Sequence, residues 1–132
     1  MENIIPDAEF AGDVMCVMPL TLTTKEDGDV YLFLTVDVAT MYIIQHEVEQ
    51  GDDIEYLLKH IQKLMEQPQL QSRRPEPFTI VLHKYEDEAD QILSLIEPLG
   101  GNLSINEEYM ATVMNPVIDE LSKNMSGGAK ES

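Results

Sequence analysis

Between residues 14 and 49 the apolar side chains recur every second position, and from residue 54 onward they recur at helical spacing. That single change of period, midway along the chain, leaves few folds open. The run Val14–Thr24, VMCVMPLTLTT, is rich in β-prone residues, with Pro19 predicting a sheet edge or a bulge at that point. An Asp27-Gly28 turn leads into VYLFLTVDVA at 30–39, whose two faces both begin apolar, as a central strand requires. Thr40 and Met41 reverse the chain into YIIQHEVE at 42–49. The first half is therefore expected to be a three-stranded antiparallel meander.

Helical spacing then takes over. Ile54, Leu57, Leu58, Ile61, Leu64 and Met65 predict an amphipathic helix over about 53–67, with Asp52 and Asp53 in its capping region. A proline-flanked loop at 68–77 precedes FTIVLH at 78–83, a short strand apolar enough to be covered on both faces. Ala89, Ile92, Leu93, Ile96 and Leu99 mark a second helix stopped by Gly100-Gly101, and NLSI is a brief fifth strand. Asn106 can cap a last helix bearing Met110, Val113, Met114, Val117, Ile118 and Leu121, with Pro116 expected to kink or restart it. The reading is an irregular lead-in at 1–13, one α/β domain at 14–121, and a disordered tail at 122–132. The order is β-β-β-α-β-α-β-α, a mixed five-stranded sheet with helices packed on it.

Charge narrows the function. The 132 residues carry 25 Asp plus Glu against 8 Lys plus Arg, a formal net charge of −17, which repels phosphate backbones and makes nucleic acid a poor partner. Lys59, Lys63, Arg73, Arg74 and Lys84 form a slight basic cluster in the middle, where the Arg73-Arg74 pair suits an anion or a salt link to the acids at 86–90. No apolar run is long enough to span a bilayer and no signal segment is visible, so a cytoplasmic protein is expected. Cys16, the only cysteine, lies in an apolar stretch and reads as core. Glycine-rich phosphate loops and nucleophile elbows are absent, and His46, His60 and His83 lack metal-ligand spacing, so no cofactor or metal is expected.

The order of elements, together with DVYLFLTVDVATMYIIQHEVE at 29–49 and PFTIVLHKYEDEADQILSLIEPLGGNLSI at 77–105, resembles the ribonuclease H-like cores of retroviral-type integrases and transposases. It is also similar to an uncharacterised bacterial domain family with the same Leu-Phe-x-x-x-Asp-x-x-Thr pattern. The resemblance implies a ribonuclease H-like fold, in which phosphodiester cleavage needs carboxylates from the first strand, the end of the fourth strand and the last helix to hold two divalent ions. Here the first strand has no acid, His83 stands at the end of the fourth, and only Asp119 and Glu120 on the last helix are acidic.

Three functions follow as expectations. The first is a non-enzymatic interaction module on a scaffold without the catalytic acids, binding a protein partner or itself through the last helix, where Met110 and Met114 form a flexible apolar surface. The second is a metal-dependent phosphodiesterase-like enzyme with a reduced site of Asp37, His83 and Asp119. The third is an acidic mimic of nucleic acid that occupies a basic partner. For Asp37 two roles stand open: a strand-end carboxylate bonded to Thr40 and nearby backbone N–H groups, or a site acid beside His83.

Overall fold

Alternation makes each strand two-faced, and a two-faced strand needs cover on both sides. A computed structural model, describing residues 5–26, 28–72 and 76–124, shows how that cover is supplied. Strands β1 (Val14–Thr24), β2 (Gly28–Asp37), β3 (Tyr42–Glu49), β4 (Phe78–Leu82) and β5 (Gly101–Ile105) form one sheet in the order β3-β2-β1-β4-β5. β2 is antiparallel to β1 and β3, whereas β4 lies parallel to β1 and β5 parallel to β4. Helices α1 (Ile54–Met65), α2 (Pro68–Gln71), α3 (Ala89–Ile96) and α4 (Glu107–Asn124) complete the chain. The α/β class and the mixed five-stranded sheet are as the sequence predicts.

Odd positions of β1 and β2, including Met15, Val17 and Phe33, face α1, α2 and α3, joined by Phe78, Ile80 and Leu82 of β4. Even positions, including Val14, Cys16, Leu34 and Val36, join Val81 beneath Met110, Val113, Met114 and Val117 of α4. Each face thus has its own core. Burial in the α4 face pushes the Cys16 thiol up to about 12, so it stays protonated at neutral pH, in keeping with a packing role.

Pro19 sits neither at an outer strand nor at a bulge of β1. β4 pairs only with Val14–Cys16, so beyond Cys16 the β4 side of β1 has no partner strand. The Val38 N–H donates to the Val14 carbonyl at 3.0 Å, which makes Met15 and Asp37 a non-hydrogen-bonded pair. Two and four residues on, the pairs Val17 with Thr35 and Pro19 with Phe33 have the same character. The nitrogen of Pro19 therefore points away from β2, and the missing N–H costs no ladder bond. The irregularity in the sheet lies instead between β2 and β3, where the register shifts at Thr35/Val36.

The 68–77 loop contains one short helix, α2, with Pro68 in its first turn. Asn106 caps α4 as expected, its Oδ1 accepting from the Tyr109 N–H at 2.9 Å. Pro116 does not break α4, which runs unbroken to Asn124, past the expected limit of 121. The carbonyl that Pro116 deprives of a donor belongs to Thr112, and both residues are exposed, so water can take the place of the lost bond. Arg73, Arg74, Met125 and the rest of the expected tail beyond 124 lie outside the described residues, as does Asp27 of the expected first turn. Among the described residues no helix is long and apolar enough to cross a membrane.

Gly101, the first residue of β5, lies against Phe78 of β4 and Ile96 of α3. A Cβ there would lie 2.6 Å from Phe78 Cζ and 2.8 Å from Ile96 Cβ, and the latter is fixed directly to the α3 backbone. Gly101→Ala should cost about 1 to 3 kcal/mol, read as a lower urea midpoint at unchanged slope.

Candidate functional site

α4 begins just beyond the ends of β4 and β5 and crosses the sheet toward the β2–β3 turn. Near its start it leaves a cleft of about 770 Å³. The floor is Met18 of β1, His83 after β4 and Ile105 of β5; the opposite wall is Asn106, Glu107, Glu108, Met110, Ala111, Met114, Asn115 and Ile118. Met110 and Met114, one turn apart, are 2% and 1% exposed. The expected free methionine surface is thus mostly core, because α4 turns that stripe onto the sheet and shows only its edge to the cleft.

His83 is half-buried, and its Nδ1 is enclosed with no hydrogen-bond partner among the described residues. Desolvation and then the Lys84 charge hold its pKa below the usual imidazole range, against an opposing pull from Glu107. It is neutral at pH 7. Beside the cleft, and sharing His83 and Glu107 with it, is a more polar depression of about 370 Å³ lined by Lys84, Tyr85, Glu86, Asp87 and Glu88.

Asp37 is elsewhere. It is 2% exposed, with Oδ1 accepting from the Gly12 N–H at 2.9 Å and Oδ2 from the Thr40 hydroxyl at 2.7 Å. Both oxygens tie down the lead-in and the β2–β3 turn, where Met41 holds a positive φ of 61°. β1 separates Asp37 from β4, since Asp37 pairs with Met15 and Met15 with Ile80. Two strand spacings across and three residues along put its Cα roughly 14 Å from that of His83. Asp119 is exposed and lines neither cavity, whereas Glu120 borders a separate apolar groove of about 400 Å³ with Met41, Tyr42, Ile43, Pro116, Val117 and Leu121. Asp37, His83 and Asp119 are therefore not brought together. Among the described residues no three His, Cys, Asp or Glu side chains are grouped so as to hold a metal ion.

A constellation that the sequence did not reveal lies on the other face. His60 of α1 is fully buried against Phe33, their ring centroids 5.9 Å apart. Its Nε2 is 2.6 Å from the Thr35 hydroxyl and its Nδ1 is 2.7 Å from Glu47 Oε1, while Glu47 Oε2 meets Lys63 Nζ at 2.8 Å. Because a carboxylate only accepts, the neutral ring carries its proton on Nδ1 and accepts from Thr35 at Nε2. The chain of hydroxyl, imidazole and carboxylate has the connectivity of a nucleophilic triad, yet Thr35 is 0% exposed and no substrate reaches it. It serves as a buried clamp of α1 on β2 and β3, extended by Gln45 Nε2 donating to the His60 carbonyl at 2.7 Å. Helical spacing showed His60 on the inner face of α1; only the strand register puts Thr35 and Glu47 beside it.

The three described members of the expected basic cluster are each paired with a carboxylate. Lys59 bonds Glu49 at 2.9 Å, Lys63 bonds Glu47, and Lys84 reaches Asp52 at 2.6 Å. Asp52 thus joins the start of α1 to the end of β4, and Asp53, at the N-cap position, makes no side-chain cap bond.

No protein-family model and no curated protein matches the chain. Among solved structures it is similar to a chain of the simian T-cell lymphotropic virus intasome in complex with PP2A regulatory subunit B56 gamma. The TM-score is 0.66 at 10% identity, covering 96% of this chain and 46% of that one. The HTLV-2 integrase catalytic core domain in complex with magnesium gives a TM-score of 0.56 at 8% identity, covering 89% of this chain and 76% of that one. The catalytic domain of Mos1 mariner transposase gives 0.53 at 11%, covering 72% and 50%. The chain spans about half the length of the first and third of these. At such identities the likeness shows the fold alone, and that fold is the ribonuclease H-like one of integrase and transposase cores.

The clamp makes stability depend on pH. His60 has a folded pKa held below its unfolded value, chiefly by desolvation, against the favourable bond to Glu47. Its contribution is complete above about pH 6.5 and is lost as pH falls through the folded pKa. Urea unfolding from pH 7.5 down to about 5.5 should show falling stability. The loss should shrink in His60→Gln, leaving the part due to His83, which is shifted the same way. Thr35→Val, which orphans Nε2, should cost about 1 to 3 kcal/mol at pH 7.

Proposed function

We propose that this protein is a non-enzymatic, cytoplasmic interaction module on a ribonuclease H-like scaffold, and that the cleft beneath α4 receives a segment of a protein partner. The lining of that cleft carries the reading. Phosphodiester cleavage on this scaffold calls for carboxylates from β1, from the end of β4 and from the last helix, because hard divalent ions need oxygen ligands. The corresponding walls here deliver the Met18 thioether, the His83 imidazole, and Met110, Met114, Asn115 and Ile118. Thioethers and apolar groups are poor ligands for magnesium or calcium and good surfaces for apolar side chains. Glu107 and Glu108 belong to the first turn of α4, where they complement the helix dipole.

The HTLV-2 integrase core is described in complex with magnesium, so the discriminating experiment is metal response. With Mg²⁺ or Mn²⁺ in excess, the melting temperature should stay within about 1 °C of the metal-free value, since a site filled at 100 times its Kd would add about 2.7 kcal/mol. Single- and double-stranded DNA and RNA should remain uncut. Metal-dependent cleavage that disappears in Asp119→Asn or Glu107→Gln would overturn the proposal. A photocrosslinking amino acid at exposed Ala111 should capture a partner that the same group at Glu55, on the opposite face, does not.

A further inference from the structure

The cleft has an apolar floor and an acidic margin, and the two together specify a partner chemistry. Met18, Ile105 and Ile118, each half-buried, supply flexible and branched apolar surface, and the buried Met110 and Met114 back it. Glu107 and Glu108 stand exposed at its mouth, and Glu86, Asp87 and Glu88 line the depression that continues from it past His83. The one cation among the described residues of that depression, Lys84, is committed elsewhere: its ammonium lies 2.6 Å from Asp52 and 5.2 Å from the centroid of the Tyr85 ring. Among the described residues no Lys or Arg lines the cleft itself. A ligand there meets carboxylates at the rim and Met18, Ile105 and Ile118 within.

We propose that this cleft binds a basic amphipathic segment of a partner protein, with one or two large apolar side chains against Met18, Ile105 and Ile118 and flanking Lys or Arg residues against Glu107, Glu108 and Glu86–Glu88. The inference rests on the interaction-module reading and names the partner class for it. Charge complementarity commits the occupant: a net charge of −17 accelerates encounter with a basic chain and repels an acidic one or a nucleic acid. The long aliphatic stems of Lys and Arg can cross the rim while their heads stay hydrated beside the carboxylates. The flexible Met18 side chain beside Ile105 and Ile118 accepts anchors of differing shape, so the segment is defined by its pattern of charge and apolar residues more than by one side chain. The volume of about 770 Å³ fits anchoring side chains and leaves the rest of the segment on the surface.

A labelled Leu/Lys amphipathic helix of about 14 residues and its Leu/Glu counterpart serve as probes in fluorescence anisotropy. The basic probe should bind and the acidic one should not, with affinity falling as salt rises from about 0.05 to about 0.3 M. Ala111→Trp, which fills the cleft from an exposed position, should weaken binding at least about tenfold, as should the pair Glu107→Lys and Glu108→Lys. Asn115→Trp, on the same exposed wall, repeats the steric test if Ala111→Trp melts early. The pair Glu55→Lys and Glu66→Lys makes the same charge change on α1 and should leave affinity within about threefold. Equal losses from both charge reversals with no effect of either tryptophan would show nonspecific attraction and overturn the proposal, as would no binding of the basic probe. A crosslink at Ala111 to a partner lacking a basic segment would overturn this inference and leave the module reading intact. Metal-dependent cleavage would remove that reading instead.

Discussion

β1 is the strand from which both layers of the molecule are built. Over Val14–Cys16 it is paired on both sides, and its side chains alternate between the core under α1 and α3 and the core under α4. Met15 and Val17 are fully buried on one face and Val14 and Cys16 on the other, so no position in this stretch tolerates a charge without a partner. That constraint bears on function as much as on folding. A strand whose two faces are both committed to packing offers little room for a carboxylate. The place where β1 emerges from double cover is Met18, and Met18 opens onto the cleft.

The two faces are held differently. The α4 face is closed by apolar packing from a single helix, which leaves the outer part of the sheet less covered; Val48 is 59% exposed and Tyr42 71%. The α1 face adds a polar clamp, with Thr35, His60, Glu47 and Lys63 joined in one line from the buried interior to solvent. Its inner members are fully satisfied, so the clamp fixes the register of α1 against β2 and β3 with little unmet desolvation. The α4 face, by contrast, keeps two enclosed polar atoms without partners among the described residues, His83 Nδ1 and Ser104 Oγ. The polar clamp belongs to the α1 side, and the cleft lies on the α4 side.

The acidic excess acquires a shape in three dimensions. Lys59, Lys63 and Lys84 all sit against carboxylates on neighbouring elements, so the basic residues in the described middle of the chain neutralise local charge and form no patch. At the mouth of the cleft Glu107 and Glu108 have no salt-bridge partner among the described residues, with Glu86 and Asp87 exposed beyond. A fold shared with integrase and transposase cores thus carries, at the end of its fourth strand, a neutral imidazole in an acidic surround.

Periodicity was enough to place all five strands and the three longer helices, because side-chain alternation and helical spacing are local properties that burial on a sheet only selects. The capping role of Asn106 and the bond from Thr40 to Asp37 were also legible, since both join residues three apart. Long-range partners were not. Gly12 on Asp37, Asp52 on Lys84, and Thr35 and Glu47 on His60 each connect residues 13 to 32 positions apart, and composition carries no trace of which register will bring them together. Pro19 pointed to a sheet edge or a bulge because it lacks an N–H to give a ladder; the short β4 leaves an unpaired margin inside the sheet, which only the parallel register decides. Likewise Asp37, His83 and Asp119 were grouped by their places at element ends, yet β1 stands between Asp37 and His83, and α4 turns Asp119 to solvent. Local chemistry determined which elements form and how they end, and tertiary packing decided which side chains meet, because a meeting across strands depends on register and helix rotation that no single segment encodes.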